Sequence, residues 1–213
     1  MKRGVIFDLD GVIVSTDDLH FQAWKAIADR EDIPFDRRIN DRLRGVSRME
    51  SLEIILEKSP RSYTKEEKTA LAEAKNDIYK ESLQQLSARN ILPGVERALA
   101  GFKAMGVKLA IGSSSKNAAA ILEHIGLTGQ FDAVVGGQDI TRSKPDPEVF
   151  LVAAQRLGLQ PQDCVVIEDA DAGIEAAIAA GMKAVGIGAA GASKIAHLVK
   201  PGLYRADLSE ILH

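Results

Sequence analysis

Two acidic residues follow the first apolar run of the chain, in the segment FDLDGV at residues 7–12. Because side chains alternate along an extended strand, Asp8 and Asp10 leave it on the same side. Gly11 then allows the backbone to turn sharply. In an open α/β sheet the carboxyl ends of the strands form the ligand crevice, so the pair suits catalysis or metal binding. Taken alone, the pair could equally be a solvated strand end.

A second apolar run ends in acids, in the segment VVIED at residues 165–169. Glu168 and Asp169 would join Asp8 and Asp10 at one edge of a sheet. Two carboxylates about 4 Å apart repel each other by about 4 kcal/mol at an effective dielectric constant of roughly 20. Such a cluster needs a cation, and an all-oxygen ligand set favours magnesium over zinc. The sequence therefore favours a magnesium site over four solvated acids.

Two further segments could bind phosphate. Residues 112–117 (GSSSKN) lie where an apolar run ends and a helical pattern begins. Hydroxyls and free backbone N–H groups at such a place form a phosphate site, although the same residues could merely cap the helix. Lys144 lies in the segment SKPDP, where two prolines stiffen the loop and hold the ammonium in place. A fixed ammonium beside the acids could neutralise a phosphoryl group in transfer.

The elements that must position these residues alternate between strands and helices. Helical patterns cover 116–125, 147–157 and 172–180, and a glycine follows each one. For the second of these helices, Asp146 is the expected N-cap and Pro147 the first residue. The alternation predicts an α/β fold, a Rossmann-like parallel sheet with helices on both faces. The expected strands are 4–8, 107–112, 131–136, 164–168 and 183–188.

Residues 15–90 depart from this alternation. They show helical spacing of apolar residues in 18–31, 50–58 and 65–87, and almost no strand pattern. We therefore expect a helical cap domain of residues 15–91, inserted into a core domain of residues 1–14 and 92–213. His20 and Lys75 lie on apolar helix faces and Arg48 follows a loop. On spacing alone they could be a core histidine, a lysine at a helix edge and a surface cation.

Composition narrows the classes of protein. The 213 residues, 46% hydrophobic and 27% charged, exclude disordered, collagen-like and coiled-coil chains. The net charge of −3 has the wrong sign for a general nucleic-acid binder and is compatible with a monomer. Cys164 is the only cysteine, so no intrachain disulfide is possible, and we expect a buried, inert thiol. Neither a signal peptide nor an apolar run of about 18 residues occurs, which predicts a cytoplasmic protein without a membrane partner.

The four motifs, in this order and at these strand ends, resemble the haloacid dehalogenase-like superfamily of phosphotransferases. The resemblance covers essentially the whole chain. It implies that Asp8 is a nucleophile that becomes an aspartyl-phosphate, and that Asp10 is the general acid and base. It also implies that Ser113 and Lys144 hold the phosphoryl group. One magnesium ion per chain would be bound by Asp8, Asp10, Glu168 and Asp169.

The predicted cap and its hinge contain Thr16, the segment HFQAW at residues 20–24, the segment GVSR at residues 45–48, Ser51, and KN at residues 75–76. Together with the core motifs, these residues resemble one family of that superfamily, the β-phosphoglucomutases. This implies conversion of β-D-glucose 1-phosphate into D-glucose 6-phosphate through β-glucose 1,6-bisphosphate, which also primes the enzyme. Arg48 would grip the distal phosphate, and Thr16 and His20 would couple cap closure to Asp10. Ser15 stands where the family has an acidic residue, which leaves the rate of hinge closure open. The implied substrate-binding residues are Thr16, His20, Trp24, Gly45, Val46, Ser47, Arg48, Ser51, Lys75, Ser114, Ser115, Lys116 and Asn117.

Three other functions remain open on the sequence. The first is a magnesium-dependent sugar-phosphate phosphatase, which would use Asp10 to activate water. The second is a mutase for another aldose phosphate. The third is a catalytically silent protein that binds small sugar phosphates, against which the joint presence of all the acidic residues and Lys144 argues. A mutase needs two phosphate sites and must refuse water, and Arg48 on the predicted cap would supply the second site.

Overall fold

The structure, a computed structural model, describes residues 1–213, the side chain of Ala192 excepted. In this described chain a sheet of six parallel strands has the order β3-β2-β1-β4-β5-β6. The strands are β1 (Gly4–Phe7), β2 (Lys108–Gly112), β3 (Ala133–Val135), β4 (Cys164–Glu168), β5 (Lys183–Gly186) and β6 (Leu198–Val199).

The register of the central strands determines which residues meet. Phe7 of β1 pairs with Ile111 of β2 on one side and with Ile167 of β4 on the other. Because these strands are parallel, the residues that follow them lie at one edge of the sheet. The residues that directly follow β1, β2 and β4 are Asp8, Ser113 and Asp169.

Helices cover both faces of the sheet, as the sequence predicts for a doubly covered α/β fold. The helices are α1 (Asp17–Arg30), α2 (Arg37–Asp41), α3 (Arg48–Leu56), α4 (Lys65–Leu83), α5 (Val95–Ala104), α6 (Ala118–His124), α7 (Glu148–Leu157), α8 (Asp171–Ala179) and α9 (Leu208–Leu212). Val5 and Phe7 point into an apolar cluster that includes residues of α5, α6 and α9. Ile6, which points to the opposite face, packs in a second cluster with residues of α7 and α8.

Helices α1 to α4 have an apolar cluster of their own, which includes Trp24, Ile27, Leu52 and Ile55. The two chain segments that connect these helices to the sheet lie side by side. The Leu92 N–H donates to the Ile13 carbonyl at 2.9 Å, and an isolated β-bridge pairs Val14 with Ile91. This arrangement suits a helical insertion with two adjacent crossings, and the exact division at residues 15 and 91 stays a prediction.

The predicted elements differ from the structure mainly at their ends. The prediction of Asp146 as N-cap is wrong: α7 begins at Glu148 and Pro147 precedes it. The Asp146 carboxylate still accepts the Glu148 N–H at 3.0 Å, so the shift is one residue at a helix end, where boundaries are least defined. Helix α4 ends at Leu83 rather than at residue 87.

Four elements are missing from the predictions. β6 has two residues and α2 and α9 have five each, too few to display a period. Helix α5 follows Gly94 without a side-chain cap and contains Gly101, and glycine is unfavourable in a helix interior.

Cys164 is buried as expected, and burial raises the pKa of its thiol to about 11. Every helix in the described residues is too short or too polar to span a membrane.

Leu52 offers a test of the helical cluster because its side chain is fully buried there. We expect Leu52→Ala to lower the free energy of unfolding by about 2–5 kcal/mol, since it removes apolar burial and leaves a cavity. Urea unfolding measures the change. Met49→Ala on the same helix is the control, since Met49 is 42% exposed and its loss should cost no more than about 0.5 kcal/mol. Equal losses in both variants would contradict the packing described here.

Candidate active site

A cavity of about 1300 Å³ lies where the carboxyl edge of the sheet faces helices α1, α3 and α4. Its wall combines residues from the strand ends with residues from these helices. Every residue predicted for the site lines this cavity except Glu168, which is fully buried beside it. The structure therefore brings together residues that are up to 161 positions apart, from Asp8 to Asp169.

Lys144 is the positive centre of the acidic edge. Its ammonium donates to Asp8 Oδ1 at 2.5 Å and to Glu168 Oε1 at 2.6 Å, and the side chain is fully buried. Burial by itself lowers a lysine pKa, but the charges of Asp8 and Glu168 outweigh it here and raise the pKa of Lys144 above its usual range. Lys144 therefore stays charged and fixes the orientation of the Asp8 carboxylate.

Asp8, Glu168 and Asp169 form a buried group of carboxylates. One oxygen from each lies within 4.8 Å of the others. Burial, with the charges of Glu168 and Asp8, raises the pKa of Asp169 to about 8, and burial also raises the pKa of Glu168. When all three carboxylates are ionised, the single positive charge of Lys144 does not balance them. The all-oxygen, anionic donor set therefore fits a magnesium ion.

Two glycines make room for these carboxylates. Gly11 has φ +88°, and a Cβ built on it would lie 2.1 Å from Asp169 Oδ2. A Cβ on Gly173, in the first turns of α8, would lie 1.9 Å from Glu168 Oε1. Neither position therefore tolerates a side chain while the acids keep their places.

Asp10 differs from the other acids. Its carboxylate accepts a hydrogen bond from the Thr16 hydroxyl and is not one of the three clustered carboxylates. Burial and the charge of Asp8 raise the pKa of Asp10 to about 6. A carboxyl with a pKa near neutrality can both donate and accept a proton, which is the property of a general acid and base.

Lys75 is a buried cation at the opposite wall, 2% exposed, which excludes the helix-edge interpretation. Its ammonium lies 2.9 Å from His20 Nδ1 and 4.4 Å from the centre of the Tyr79 ring. When Lys75 is protonated, its ammonium has no lone pair and donates to His20 Nδ1, and the imidazole proton is then on Nε2. Burial and the charge of Lys75 hold the pKa of His20 well below its usual range.

The predicted phosphate loop has part of its hydrogen bonds satisfied internally. The Ser115 N–H donates to Ser113 Oγ at 3.1 Å, and the Asn117 N–H donates to Ser115 Oγ at 3.2 Å. The loop also touches the helical side, since Asn117 Nδ2 donates to Asn76 Oδ1 at 3.0 Å. Its hydroxyls and Lys116 nevertheless line the cavity.

Arg48 is the first residue of α3 and lines the cavity on the helical side. Ser47 and Glu50 form a capping box around it, which fixes where the helix starts. Partial burial lowers the pKa of Arg48, although Asp77 and Glu73 oppose the shift. Arg48 and Lys144 therefore present two separate positive charges to one cavity.

The sequence analysis does not assign a place in the site to Tyr79, Gly173 or Arg44. Tyr79 stacks on His20 with ring centres 4.1 Å apart, and its position four residues after Lys75 on an apolar face is a signal that could have revealed it. Gly173, inside a helix directly after the acids, could have indicated a close approach. Arg44 contacts Asp169 at 3.5 Å, and no sequence signal separates it from the other arginines nearby.

Comparison with known proteins identifies the family. The model of the haloacid dehalogenase-like hydrolases matches residues 2–181. The chain belongs to this family. It is 47% identical to β-phosphoglucomutase of Bacillus subtilis over 188 residues, 87% of this chain and 83% of the relative. It is 37% identical to a fructose-1-phosphate phosphatase of Escherichia coli over 184 residues, 86% of this chain and 95% of the relative.

Solved structures lead to the same haloacid dehalogenase-like family. The crystal structure of β-phosphoglucomutase from Clostridium difficile superposes with a TM-score of 0.93 at 39% identity, over 99% of this chain and 96% of that one. The agreement extends over the sheet and the helical insertion together, since nearly the full length of both chains is covered.

The buried ammonium of Lys75 should make the stability of this haloacid dehalogenase-like hydrolase depend on pH. Burial lowers the pKa of Lys75 from 10.5 to about 7. Between these values the unfolded chain binds more protons than the folded protein, so the contribution of Lys75 to stability rises as the pH rises from 7 to 10.5. We expect Lys75→Met to exceed the wild type in free energy of unfolding by about 2–4 kcal/mol near neutral pH, and by progressively less at higher pH.

Urea unfolding at a series of pH values measures this difference. Lys80→Met, at an exposed position of the same helix, is the control and should change little at any pH. A difference between Lys75→Met and the wild type that stays constant across the series would contradict the lowered pKa.

Proposed function

We propose that the protein is a β-phosphoglucomutase, which interconverts β-D-glucose 1-phosphate and D-glucose 6-phosphate through β-glucose 1,6-bisphosphate. The observation that carries the proposal is the pair of separate cations in one cavity, Lys144 beside Asp8 and Arg48 on the helical side. A bisphosphate needs a positive group at each end. The similarity to β-phosphoglucomutases of Bacillus subtilis and Clostridium difficile supports it.

In the first step, an Asp8 oxygen attacks the phosphorus of the bisphosphate and forms an aspartyl-phosphate. The bond from phosphorus to the sugar oxygen breaks, and Asp10, protonated, donates its proton to that oxygen. Lys144 fixes the orientation of the Asp8 carboxylate, while Ser113 and Lys144 would hold the phosphoryl oxygens. The hexose monophosphate then turns or exchanges, and the reverse step transfers the phosphoryl group to its free hydroxyl as Asp10 takes the proton.

Asp8, Glu168 and Asp169, with Asp10 as a further ligand through its backbone carbonyl, would hold one magnesium ion. When bound, the ion offsets negative charge as the anionic phosphoryl group approaches the carboxylates. Lys144 already neutralises part of this charge through its bonds to Asp8 and Glu168.

In a mutase, Asp10 must be aligned for catalysis while a sugar is bound and out of alignment when the sugar is absent. Thr16 directly precedes α1 and its hydroxyl holds the Asp10 carboxylate, so a movement of α1 would reorient Asp10. On the helical side of the cavity, His20 of α1 contacts Lys75 of α4. We propose that closure of the helical side aligns Asp10 through Thr16 and His20.

The distal phosphate would be gripped by Arg48, with the loop of Ser114, Ser115, Lys116 and Asn117 beside it. The sugar would lie between the two phosphate sites, against Trp24, Gly45, Val46, Ser47 and Ser51. Holding both ends of the intermediate explains how a hydroxyl can compete with water, because a well-positioned group can reach an effective molarity of about 10⁵ M or more.

A sugar-phosphate phosphatase is the second candidate. It is favoured by the similarity to the Escherichia coli fructose-1-phosphate phosphatase and to a phosphorylated carbohydrates phosphatase of Thermotoga maritima, 34% identical over 188 residues. Such an enzyme would share Asp8, Asp10 and Lys144, and would transfer the phosphoryl group to water.

The monomeric state, the cytoplasmic location and the absence of a nucleic-acid partner stay predictions.

One assay separates the two candidates. The protein is given β-glucose 1-phosphate, Mg²⁺ and the bisphosphate primer, and glucose 6-phosphate and free phosphate are followed in parallel. We expect isomerisation with little phosphate release, and no turnover with Asp8→Asn because the nucleophile is lost. Phosphate release without isomerisation would favour the phosphatase, and measurable mutase activity in Asp8→Asn would refute the nucleophile assignment.

Arg48 should matter more for the mutase reaction than for simple hydrolysis. We expect Arg48→Ala to lower kcat/KM for β-glucose 1-phosphate by about 10- to 100-fold, the worth of a hydrogen bond to a charged group. Hydrolysis of p-nitrophenyl phosphate, which has no distal phosphate, should change by less than about threefold. Arg42→Ala is the control, since Arg42 is exposed and paired with Glu57. Equal losses in both reactions would show that Arg48 does not grip a distal phosphate.

A further inference from the structure

Arg44 lies in the loop between α2 and α3 and contacts acids on both sides of the cavity. Its Nη1 lies 3.5 Å from Asp169 Oδ2, at the edge of the sheet. Its Nη2 lies 3.3 Å from Asp17 Oδ2, and its Nε lies 3.5 Å from Asp41 Oδ1, both on the helical side. One guanidinium therefore connects the helical insertion to one of the clustered carboxylates.

The helical side holds this guanidinium in a defined orientation. Asp17, at the start of α1, is itself fixed by Asn40 Nδ2, which donates to its Oδ1 at 3.1 Å, and by Arg37 Nη1 at 3.6 Å from its Oδ2. With Asp17 and Asp41 bound to two of its nitrogens, Arg44 directs the third toward Asp169. The planar fork of an arginine suits such a shared arrangement.

The backbone beside Arg44 also packs closely against the sheet edge. Gly45 has φ +74°, and a Cβ built on it would lie 3.2 Å from the Cβ of Ala170, the residue after Asp169. On the other side, Ser114 Oγ lies 3.4 Å from the Gly45 carbonyl oxygen. The contact of Arg44 with Asp169 is therefore part of an interface between the helical insertion and the core.

The charges around Asp169 explain why a second cation is useful there. Lys144 binds Asp8 and Glu168, and both of its bonds are used on them. Asp169, whose side chain is 9% exposed, has Arg44 as its ion-pair partner among the described residues. Arg44 thus supplies positive charge to the carboxylate that Lys144 does not reach.

We propose that Arg44 is a positioning residue that pairs with Asp169 in the metal-free protein and gives this carboxylate up when Mg²⁺ binds. The inference rests on the magnesium site of the proposed function. Arg44 and Mg²⁺ compete for the same oxygen and repel each other, so the arginine weakens metal binding to the substrate-free protein. By linkage, Mg²⁺ weakens the Arg44 contact by the same factor and frees the helical side to open.

Isothermal titration of the substrate-free, full-length protein with Mg²⁺ tests this coupling without any measurement of activity. We expect Arg44→Ala and Arg44→Gln to bind Mg²⁺ about two- to fivefold more tightly than the wild type, the range expected for a partly exposed ion pair. Arg44→Lys keeps the charge but loses the planar fork, and its Mg²⁺ affinity should lie between that of the wild type and that of Arg44→Ala. Arg42→Ala is the matched control, because Arg42 lies in the same loop, is exposed, and pairs with Glu57 outside the lining of the cavity.

Small-angle scattering gives a second readout. In EDTA, the radius of gyration of Arg44→Ala should exceed that of the wild type, and saturating Mg²⁺ should remove the difference. Unchanged Mg²⁺ affinity in both Arg44→Ala and Arg44→Gln, or an equal gain in Arg42→Ala, would overturn the inference and leave the metal site intact. If the wild type takes up no Mg²⁺, the proposed metal site is wrong and the inference fails with it.

Discussion

The concentration of negative charge at one buried sheet edge is the constraint on which the rest of the site depends. Parallel pairing of β1 with β4 in this register places Asp8 beside Glu168 and Asp169, whatever function they serve. Burying ionised carboxylates is costly unless cations or hydrogen bonds compensate them. Lys144 compensates two of them directly, and its own burial is tolerable only because both partners are anionic. The acids and the lysine therefore require each other.

The surroundings of this cluster follow from the same constraint. Gly11 and Gly173 lack the Cβ that would collide with Asp169 and Glu168, so the acids fit against the backbone. Three positive side chains of the helical insertion line the same cavity, namely Arg44, Arg48 and Lys75. A cavity with anionic side chains on the sheet side and cationic side chains on the helical side suits a phosphate-containing ligand that binds together with a metal ion. Its field favours anionic ligands on one wall and a divalent cation on the other.

The sequence predicts the ends of β1, β2 and β4 to within one residue, because each of these apolar runs is followed by a chemically distinctive residue, as in Val165 to Asp169. Helices with a glycine after them are also predicted, to within a few residues. Arg44 could not be predicted, because its contact depends on how closely the loop of Gly45 approaches Ala170, and sequence spacing carries no such distance. Glu168, which the sequence predicts as a magnesium ligand, is buried beside the cavity, where its two oxygens accept hydrogen bonds from Lys144 and from the Ala170 N–H. The roles assigned to individual residues stay predictions.

The division between mutase and phosphatase must be decided outside the sheet edge. Phosphatases of the same family are 34–37% identical to this chain, and the chemistry of Asp8, Asp10 and Lys144 serves either reaction. A phosphatase needs Asp10 to be aligned whenever water is to accept the phosphoryl group. A mutase needs Asp10 to be aligned while a sugar is bound and not otherwise. That condition can be imposed only by groups that sense the far end of the ligand and also reach Asp10. Thr16 contacts Asp10, His20 contacts Lys75, and Arg48 lines the same cavity, so these residues of the helical insertion and of its junction with β1 are the candidates for such a connection. On the proposed function, the selectivity of the enzyme would depend on the insertion and its chemistry on the sheet.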